Sequence, residues 1–425
     1  MNDSPIPDNS VSACEHLVAD PDDDYYRHFT GNGVESWFLC SKCIKAMREG
    51  KTLSMTPLTR KEALRLDGEG FLDGISGSVS ITECSGPAPA VRTVALSGDA
   101  VTALAPLPDG RWLTYDTSRQ LTVFDPDSGL YETIIHVSLP EEEDQEWCQH
   151  NLAPRLHADP TGRFAALVHD YGRYGAVIDL KAKCVSMKLD GGSYYPETVP
   201  FAACFIEYDG RSVLIHRTDW NRLDISDPET GRLLTGRGPT SYTSGEERPP
   251  HYLDYFHGGL HVSPSGTKVL DDGWVWQPMG CVSMFDARDW LSGNMWETEE
   301  ACRKPALPLR DDWDIGICWI DDERFALQTL IPDSSCDDGR KPVGLAFIYH
   351  LSGEEIVPLA GPGGWFFSDG GRLFSSNMNG LSVWNIDTGC RSGFIPGFSP
   401  TVRHPDRREL AQVKEGELLF WCYDC

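Results

Sequence analysis

Short apolar runs alternate with tight polar turns along most of the chain, from residue 101 to its end. Seven of these turns share the pattern Asp or Pro, any residue, Gly and Arg, or a close variant of that pattern. They occupy residues 108–111, 160–163, 208–211, 264–267, 321–324, 369–372 and 404–407. The flanking runs, such as 101–105 and 112–115, consist largely of β-prone residues. Each turn is therefore predicted to join two antiparallel strands.

A second signature follows the third predicted strand of most repeats. It is an apolar pair and a polar residue, followed by Ser or Thr before Gly, as in 123–129, 284–293 and 383–389. Glycine permits a positive φ there, so that the chain can reverse tightly into a fourth strand. A repeat of roughly 36 to 57 residues built from short strands predicts an all-β fold, a β-propeller with seven blades.

Residues 91–425 resemble the seven-bladed propellers of the WD40-like kind in architecture. The Gly-His pair that opens a typical WD40 repeat is absent, and the one Trp-Asp pair, Trp313-Asp314, falls in a predicted loop. The last repeat supplies three strands only. We expect the apolar run at about 91–97 to form the missing outer strand, because this pairing closes the ring without an open edge.

The first 52 residues carry a different pattern, Cys14-x-His16 followed by Cys40-x-x-Cys43. Two close pairs of thiolate and imidazole ligands suit tetrahedral zinc, and four protein ligands indicate a structural site. His28 is a possible replacement for His16. The arrangement resembles small zinc-finger modules of the ribbon or treble-clef kind; the alternative is a coincidental or redox Cys-x-x-Cys. Residues 53–90 are predicted to be a connector between this module and the propeller at 91–425.

The net charge of the chain indicates which classes of partner can be expected. The formal net charge of −27 makes the surface repel phosphate backbones, so that nucleic acid is not expected as a partner. The amino terminus has no secretory pattern, and no run of about 18 apolar residues is present. We therefore expect a cytoplasmic protein that does not enter the membrane, with most of its 14 cysteines reduced.

In a propeller, the loops between second and third strands share one face with the connections between blades. The signatures place acidic and aromatic residues on this face, which would suit a protein or a basic, extended peptide. The alternative is that the tryptophans pack between blades. The predicted binding residues are Trp220, Asp271, Asp272, Trp274, Trp276 and Trp313.

A denser group, His251, Asp254, His257 and His261, precedes and enters the fourth repeat. These residue types could bind a divalent metal or supply a general base, although structural histidines are commoner. The sequence contains no phosphate-binding glycine loop, nucleophile elbow or His-Glu-x-x-His motif.

Two hypotheses of function follow. The first is a non-catalytic scaffold that binds a protein or peptide on the acidic, aromatic face. The second is a metal-assisted, lactonase-like hydrolase with its site at the centre of the same face. The fold alone does not decide between them.

Overall fold

The computed structural model describes four short strands between residues 11 and 57 and most of the chain from residue 90 to residue 423. Within the second part, it leaves out residues 96–98, 143–149, 244, 277–278, 304–309, 311–312, 331–343 and 352–355.

The amino-terminal strands form one sheet in the order β2-β3-β1-β4. Their bounds are Val11–Cys14 for β1, Tyr25–Phe29 for β2, Ser36–Cys40 for β3 and Met55–Pro57 for β4. Strands β1 and β3 are parallel and in register, so that Cys14 and Cys40 lie at the ends of neighbouring strands. His16 and Cys43 lie outside the described residues, and so does His28's side chain. The four-ligand zinc site therefore stays a prediction.

Strands β5 to β30 form seven antiparallel sheets, which are the blades of a propeller. Strand β5 is Arg92–Ala95 and belongs to blade 7. Blade 1 comprises β6 (Val101–Pro106), β7 (Trp112–Asp116), β8 (Gln120–Phe124) and β9 (Tyr131–His136). Blade 2 comprises β10 (Ala153–Ala158), β11 (Phe164–Asp170), β12 (Tyr174–Asp179) and β13 (Cys184–Asp190). Blade 3 comprises β14 (Ala203–Tyr208), β15 (Arg211–Asp219) and β16 (Arg222–Ser226).

The remaining blades continue in chain order. Blade 4 comprises β17 (Phe256–Val262), β18 (Lys268–Val275) and β19 (Met279–Asp286). Blade 5 comprises β20 (Ile317–Trp319), β21 (Arg324–Leu330), β22 (Gly344–His350) and β23 (Ile356–Gly361). Blade 6 comprises β24 (Trp365–Ser368), β25 (Arg372–Asn377), β26 (Gly380–Asn385) and β27 (Arg391–Pro396). Blade 7 comprises β28 (Val402–His404), β29 (Glu409–Lys414) and β30 (Glu417–Cys422), with β5 outside β30.

The seven predicted turns all join the first strand of a blade to its second. Gly110, Gly162, Gly210 and Gly266 adopt positive φ in these turns, which explains the glycine of the signature. In the first turn, the amide of Gly110 donates to the carbonyl of Leu107 at 3.1 Å. The seven-bladed, all-β architecture predicted from the sequence is confirmed.

Strand β5 lies where the sequence analysis expects an outer strand. It pairs antiparallel with β30, with Ala95 opposite Glu417 and Arg92 opposite Phe420. The Arg92 guanidinium also donates to the carbonyl of Pro126 in blade 1 at 3.0 Å. Strand β5, which comes before blade 1 in the sequence, is thereby joined to both blade 7 and blade 1.

Apolar cores fill the spaces between adjacent blades. One such core joins blade 7 to blade 1, with Leu418 and Phe420 packed against Leu104, Trp112 and Phe124. Equivalent clusters connect each of the other six neighbouring pairs. The ring is therefore closed by packing as well as by strand pairing.

Blades 3 and 4 depart from the predicted repeat, because neither has a regular fourth strand. In blade 3, a single bridge between Ser226 and Leu233 takes its place. In blade 4, two helices follow β19: α1 (Ala287–Ser292) and α2 (Glu297–Arg303). The segment 284–293, predicted to lead into a strand, instead starts a helix because the Asp286 carboxylate accepts from the amides of Arg288 and Asp289.

A buried ion-pair network fixes this helical insertion to blade 3. The Arg237 guanidinium contacts the Asp224 carboxylate at 2.6 Å and the Glu299 carboxylate at 2.5 Å, and all three side chains are almost completely buried. The same guanidinium lies over the rings of Trp290 and Trp296. The insertion is thus part of the folded core. Among the described residues, no helix has the length and apolar character needed to cross a bilayer.

Candidate functional site

The aromatic residues predicted for binding come together on one face of the ring. This face, called the loop face below, carries the turns between second and third strands and the connections between blades. Trp220 and Trp276 lie in or at the turns of blades 3 and 4, and Trp313 lies in the connection from blade 4 to blade 5. Trp274 lies near the end of β18 beside them.

The base of this cluster is buried. Trp220, Phe256 and Trp274 pack ring against ring, with centroids 4.7 Å apart between Trp220 and Phe256 and 4.9 Å apart between Phe256 and Trp274. Trp313 packs on Trp274 at 5.7 Å and donates its indole N–H to the carbonyl of Thr198 at 2.8 Å. Trp220 and Trp274 are therefore largely buried between blades 3 and 4, which is the packing that the alternative describes.

Four exposed aromatic side chains lie on or beside this base and form what we call the aromatic patch: Tyr194, Tyr195, Tyr242 and Trp276. Trp276 is 45% exposed and packs on Trp274 at 4.8 Å. Tyr195 and Trp276 meet edge to face at 5.3 Å, and Tyr194 contacts Trp220 at 5.0 Å. The patch thus presents several ring surfaces to solvent on a closely packed support.

The loop before blade 3 explains how two tyrosines reach the surface. At Gly191, a Cβ atom would lie 2.5 Å from the Arg217 guanidinium, so that only glycine lets the chain pass there. Tyr195 has φ 45° and ψ 52°, a left-handed conformation that is unfavourable for a tyrosine, and precedes the short 3₁₀ turn Pro196–Thr198. Such strain is typical of functional loops.

An acidic residue, Asp254, lies beside the aromatic patch, and a neighbouring tyrosine, Tyr252, already contacts a guanidinium. Burial raises the pKa of Tyr252, and the carboxylate of Asp254 raises it further, as it also does for Tyr194. Asp254 is exposed, so that its charge is available to a ligand. The guanidinium of Arg248 lies over the ring of Tyr252 at 4.2 Å. Tyr252 in turn packs against Tyr242 at 5.2 Å.

Two predicted binding residues are in the wrong environment for that role. Asp271 and Asp272 lie on β18 and are buried, whereas the sequence analysis placed them on the exposed loop face. Asp271 bonds to His257, and Asp272 forms an ion pair with Arg310. Their charges are used inside the blade because partners distant in sequence reach them, so they cannot form an acidic rim for a peptide.

The predicted histidine group does not converge on one site. His251 stacks on Trp296 at 3.7 Å, His257 bonds to Asp271, and His261 lines the central channel. Asp254 is exposed beside the patch. The spacing matched a helix, but His257 and His261 lie on β17, where four residues span about 13 Å.

The central channel has a volume of about 1230 Å³ and is lined by the inner strands of six blades. The Arg155 guanidinium bonds to the Asp170 carboxylate at 2.5 Å and lies over Trp365. Burial in the channel, followed by the charge of Arg155, lowers the pKa of both His157 and His261 to about 3. Both imidazoles are therefore neutral at physiological pH.

Three acidic residues, of which Asp170 lines the channel, are already paired. Arg155 holds Asp170, and Arg310 holds Asp272. The phenol of Tyr171 donates to the Asp314 carboxylate at 2.5 Å. Within the described residues, the donor group that could hold a metal is not here but inside blade 4.

Sequence reasoning missed the exposed tyrosines of the patch. The signal that could have found Tyr194 and Tyr195 is the segment 191–196, Gly-Gly-Ser-Tyr-Tyr-Pro, in which turn-forming residues enclose two aromatic ones. Tyr242 lies in the long connection after blade 3, and its segment 238–245, Gly-Pro-Thr-Ser-Tyr-Thr-Ser-Gly, carries the same kind of signal.

Comparisons with known proteins show similarity of fold only. No protein-family model matches the chain, and no curated protein matches it. A chain of the crystal structure of the Mitotic Checkpoint Complex is 13% identical and has a TM-score of 0.48, over 82% of this chain and 97% of that chain. The Myceliophteria thermophila Cps50 (Swd1) β-propeller domain is 14% identical with a TM-score of 0.49, over 79% and 99%.

A chain of Kuenenia stuttgartiensis Hydrazine Synthase is 13% identical with a TM-score of 0.50, over 77% of this chain and 96% of that chain. At such identities, likeness indicates a shared fold and does not carry an activity from one protein to another. The seven sheets and their closed packing show by themselves that the chain is a seven-bladed β-propeller.

Proposed function

We propose that the protein is a non-catalytic platform that binds an extended, basic peptide segment of a partner protein on its aromatic patch. The observation that carries this proposal is the set of exposed rings, Tyr194, Tyr195, Tyr242 and Trp276, on or beside a buried aromatic base. Exposed apolar clusters of this kind mark interaction sites.

The packing of the patch favours binding. Tyrosine and tryptophan offer a large contact area and lose little rotamer freedom when a ligand arrives. Trp276 is held by Trp274 and Tyr195, and Tyr194 by Trp220. A surface ordered in advance loses less conformational entropy on association, which raises affinity for a given contact area.

The charge of the partner follows from three observations. Asp254 is exposed at the patch, and the whole chain carries a net charge of −27, so that a basic segment is attracted. Arg248 on Tyr252 shows that an aromatic ring at this place accepts a guanidinium. An arginine or lysine of the partner would find the same chemistry on Tyr194 and Trp276.

The hydrolase alternative gains no support from the described residues. It needs carboxylates that are free to hold a cation at the centre of the loop face. Asp170 and Asp272 are instead bound to Arg155 and Arg310, which neutralise them.

The test is selection of linear peptides from a display library on the purified full-length chain. We expect enriched peptides to combine an arginine or lysine with an apolar residue and to bind Tyr194→Ala at least tenfold more weakly. Tyr131→Ala is the matched control, because Tyr131 is similarly exposed but lies on the outer strand of blade 1. Enrichment of acidic peptides, or equal loss in both variants, would refute the proposal.

The amino-terminal zinc site is a separate proposal. Cys14, His16, Cys40 and Cys43 would hold one structural Zn²⁺. Metal analysis of the purified chain and of Cys40→Ser tests it: equal zinc contents in the two proteins would contradict it.

A further inference from the structure

Blade 4 encloses a second group of metal-binding side chains. His257 lies on β17, Asp271 on β18 and Cys302 on α2, and one donor atom of each lies within 4.8 Å of the others. All three residues are buried. None of the three is close to another in sequence, so that only folding brings them together.

The imidazole of His257 contacts a carboxylate through one ring nitrogen and has no hydrogen-bond partner at the other. Its Nδ1 lies 2.6 Å from the Asp271 carboxylate, whose other oxygen accepts from the amide of Gly258 at 3.1 Å. Its Nε2 is buried and has no hydrogen-bond partner among the described residues. An unpartnered buried nitrogen is unfavourable, because it has lost its hydrogen bond to water and gained none in the protein. A carboxylate on one nitrogen with the other left free is the arrangement of a metal-bound histidine.

The backbone is shaped to produce this orientation. The pairing of β17 with β18 shifts its register between Phe256 and Gly259, which is a β-bulge. A Cβ atom at Gly258 would clash with the carbonyl of Asp272, so that the chain needs glycine there. Bulges re-aim side chains and are common at functional sites. Here the bulge contains His257 itself together with Gly258.

The charges of the group are unbalanced without a cation. Among the described ion pairs, His257 is the sole partner of the buried Asp271 carboxylate. The Cys302 thiol is buried and lies 3.2 Å from the Ser283 hydroxyl. A divalent cation would balance one carboxylate and one thiolate, and binding would release the thiol proton.

We propose that His257, through its free Nε2, and Cys302 bind a zinc ion inside blade 4, with Asp271 orienting the imidazole from its Nδ1 side. This site is distinct from the amino-terminal ligand set. Imidazole and thiolate suit Zn²⁺ better than Ca²⁺ or Mg²⁺, which take oxygen ligands. Cys281 packs in the same buried cluster as Cys302. The metal would join the two inner strands of the blade to the helical insertion that replaces its outer strand.

The experiment is metal analysis of the purified full-length chain in a Cys40→Ser background, which removes a proposed ligand of the amino-terminal site. We expect about one equivalent of zinc there and its loss on adding Cys302→Ala or His257→Gln. Cys318→Ala is the matched control, since Cys318 is an equally buried thiol of blade 5. It should keep the zinc.

Cobalt provides a second measurement. Replacing the metal of the Cys40→Ser protein with Co²⁺ should give a near-ultraviolet thiolate-to-cobalt absorption band that is absent after Cys302→Ala. If the Cys302 and His257 variants do not fold, the Cys40→Ser protein still decides. Less than half an equivalent of zinc in it, together with no cobalt band, overturns the proposal, and so does zinc that persists in a folded Cys302→Ala protein.

Discussion

Trp274 supports the aromatic patch from below, and Trp276 is part of its exposed surface. Replacing each of them alone should therefore show which residue contributes to stability and which contributes to binding. The two side chains are neighbours, with ring centroids 4.8 Å apart. Trp274 is only 5% exposed and contacts Phe256 and Trp313, whereas Trp276 is 45% exposed. The same substitution, Trp to Ala, should therefore have different consequences two residues apart.

The magnitudes follow from burial. Trp274→Ala leaves a cavity between blades 3 and 4, and removing a buried aromatic ring typically lowers the free energy of unfolding by about 3–5 kcal/mol. Trp276 already has nearly half of its surface in water, so that Trp276→Ala should lower it by about 1–2 kcal/mol. A central aromatic contact contributes about 2 kcal/mol or more to binding, which is about 30-fold in Kd.

The assay has two measurements on each variant. Denaturant-induced unfolding gives the change in stability, and titration of a basic peptide selected on the wild-type chain gives the change in Kd, under conditions where the variant is folded. Trp365→Ala is the matched control: Trp365 is 41% exposed but lies in blade 6 against the channel. It should leave Kd within about twofold.

Either of two results would refute the reasoning. If folded Trp276→Ala binds the peptide within about twofold of wild type, the patch is not the binding surface. If Trp274→Ala costs less than about 1 kcal/mol, the ring is not the support that its burial indicates.

Three further predictions concern the ring and its core. Deleting residues 1–97 removes strand β5 and should leave the protein unfolded or aggregated in solubility and circular-dichroism measurements, whereas deleting 1–89 should leave it soluble. Arg237→Ala removes the cationic partner of the buried Glu299 carboxylate and leaves Asp224 with Arg222 alone, so it should lower the free energy of unfolding by about 3–5 kcal/mol, measured by denaturant titration; a cost below about 1 kcal/mol would show that the network relaxes. The lowered pKa of about 3 for His157 and His261 means that the unfolded chain takes up protons below a pH of about 6.5 while the folded chain does not, so that stability should fall as the pH drops from about 7 to about 4. His157→Gln with His261→Gln should flatten this dependence, and an unchanged slope would contradict it.

The blades could be predicted because their signal is local. A glycine with positive φ in a turn, such as Gly110 or Gly162, leaves a mark within four residues of sequence. The replacement of a strand by helix α1 left no such mark. An aspartate after a strand can start a tight turn or cap a helix, and Asp286 does the second. The choice depends on Trp290, which packs into the core between blades 3 and 4.

The site was predicted in part for a similar reason. The signatures placed Trp274 and Trp276 on the correct face, but which of the two is buried depends on Phe256 and Trp313, from other parts of the chain. Asp272 looked like an exposed loop acid because its partner, Arg310, lies 38 residues away. Burial and pairing of this kind are properties of the fold and cannot be obtained from a local pattern.

The departures from the repeat and the candidate site occur in the same two blades. Because blade 3 ends at the bridge to Leu233, the chain has some twenty residues in which to return to the inner strand of blade 4. That connection carries Tyr242, Tyr252 and Asp254. Irregularity in an otherwise consistent repeat is expected where function competes with the fold, and here the long connection supplies one of the four exposed rings, Tyr242, and the acidic group, Asp254.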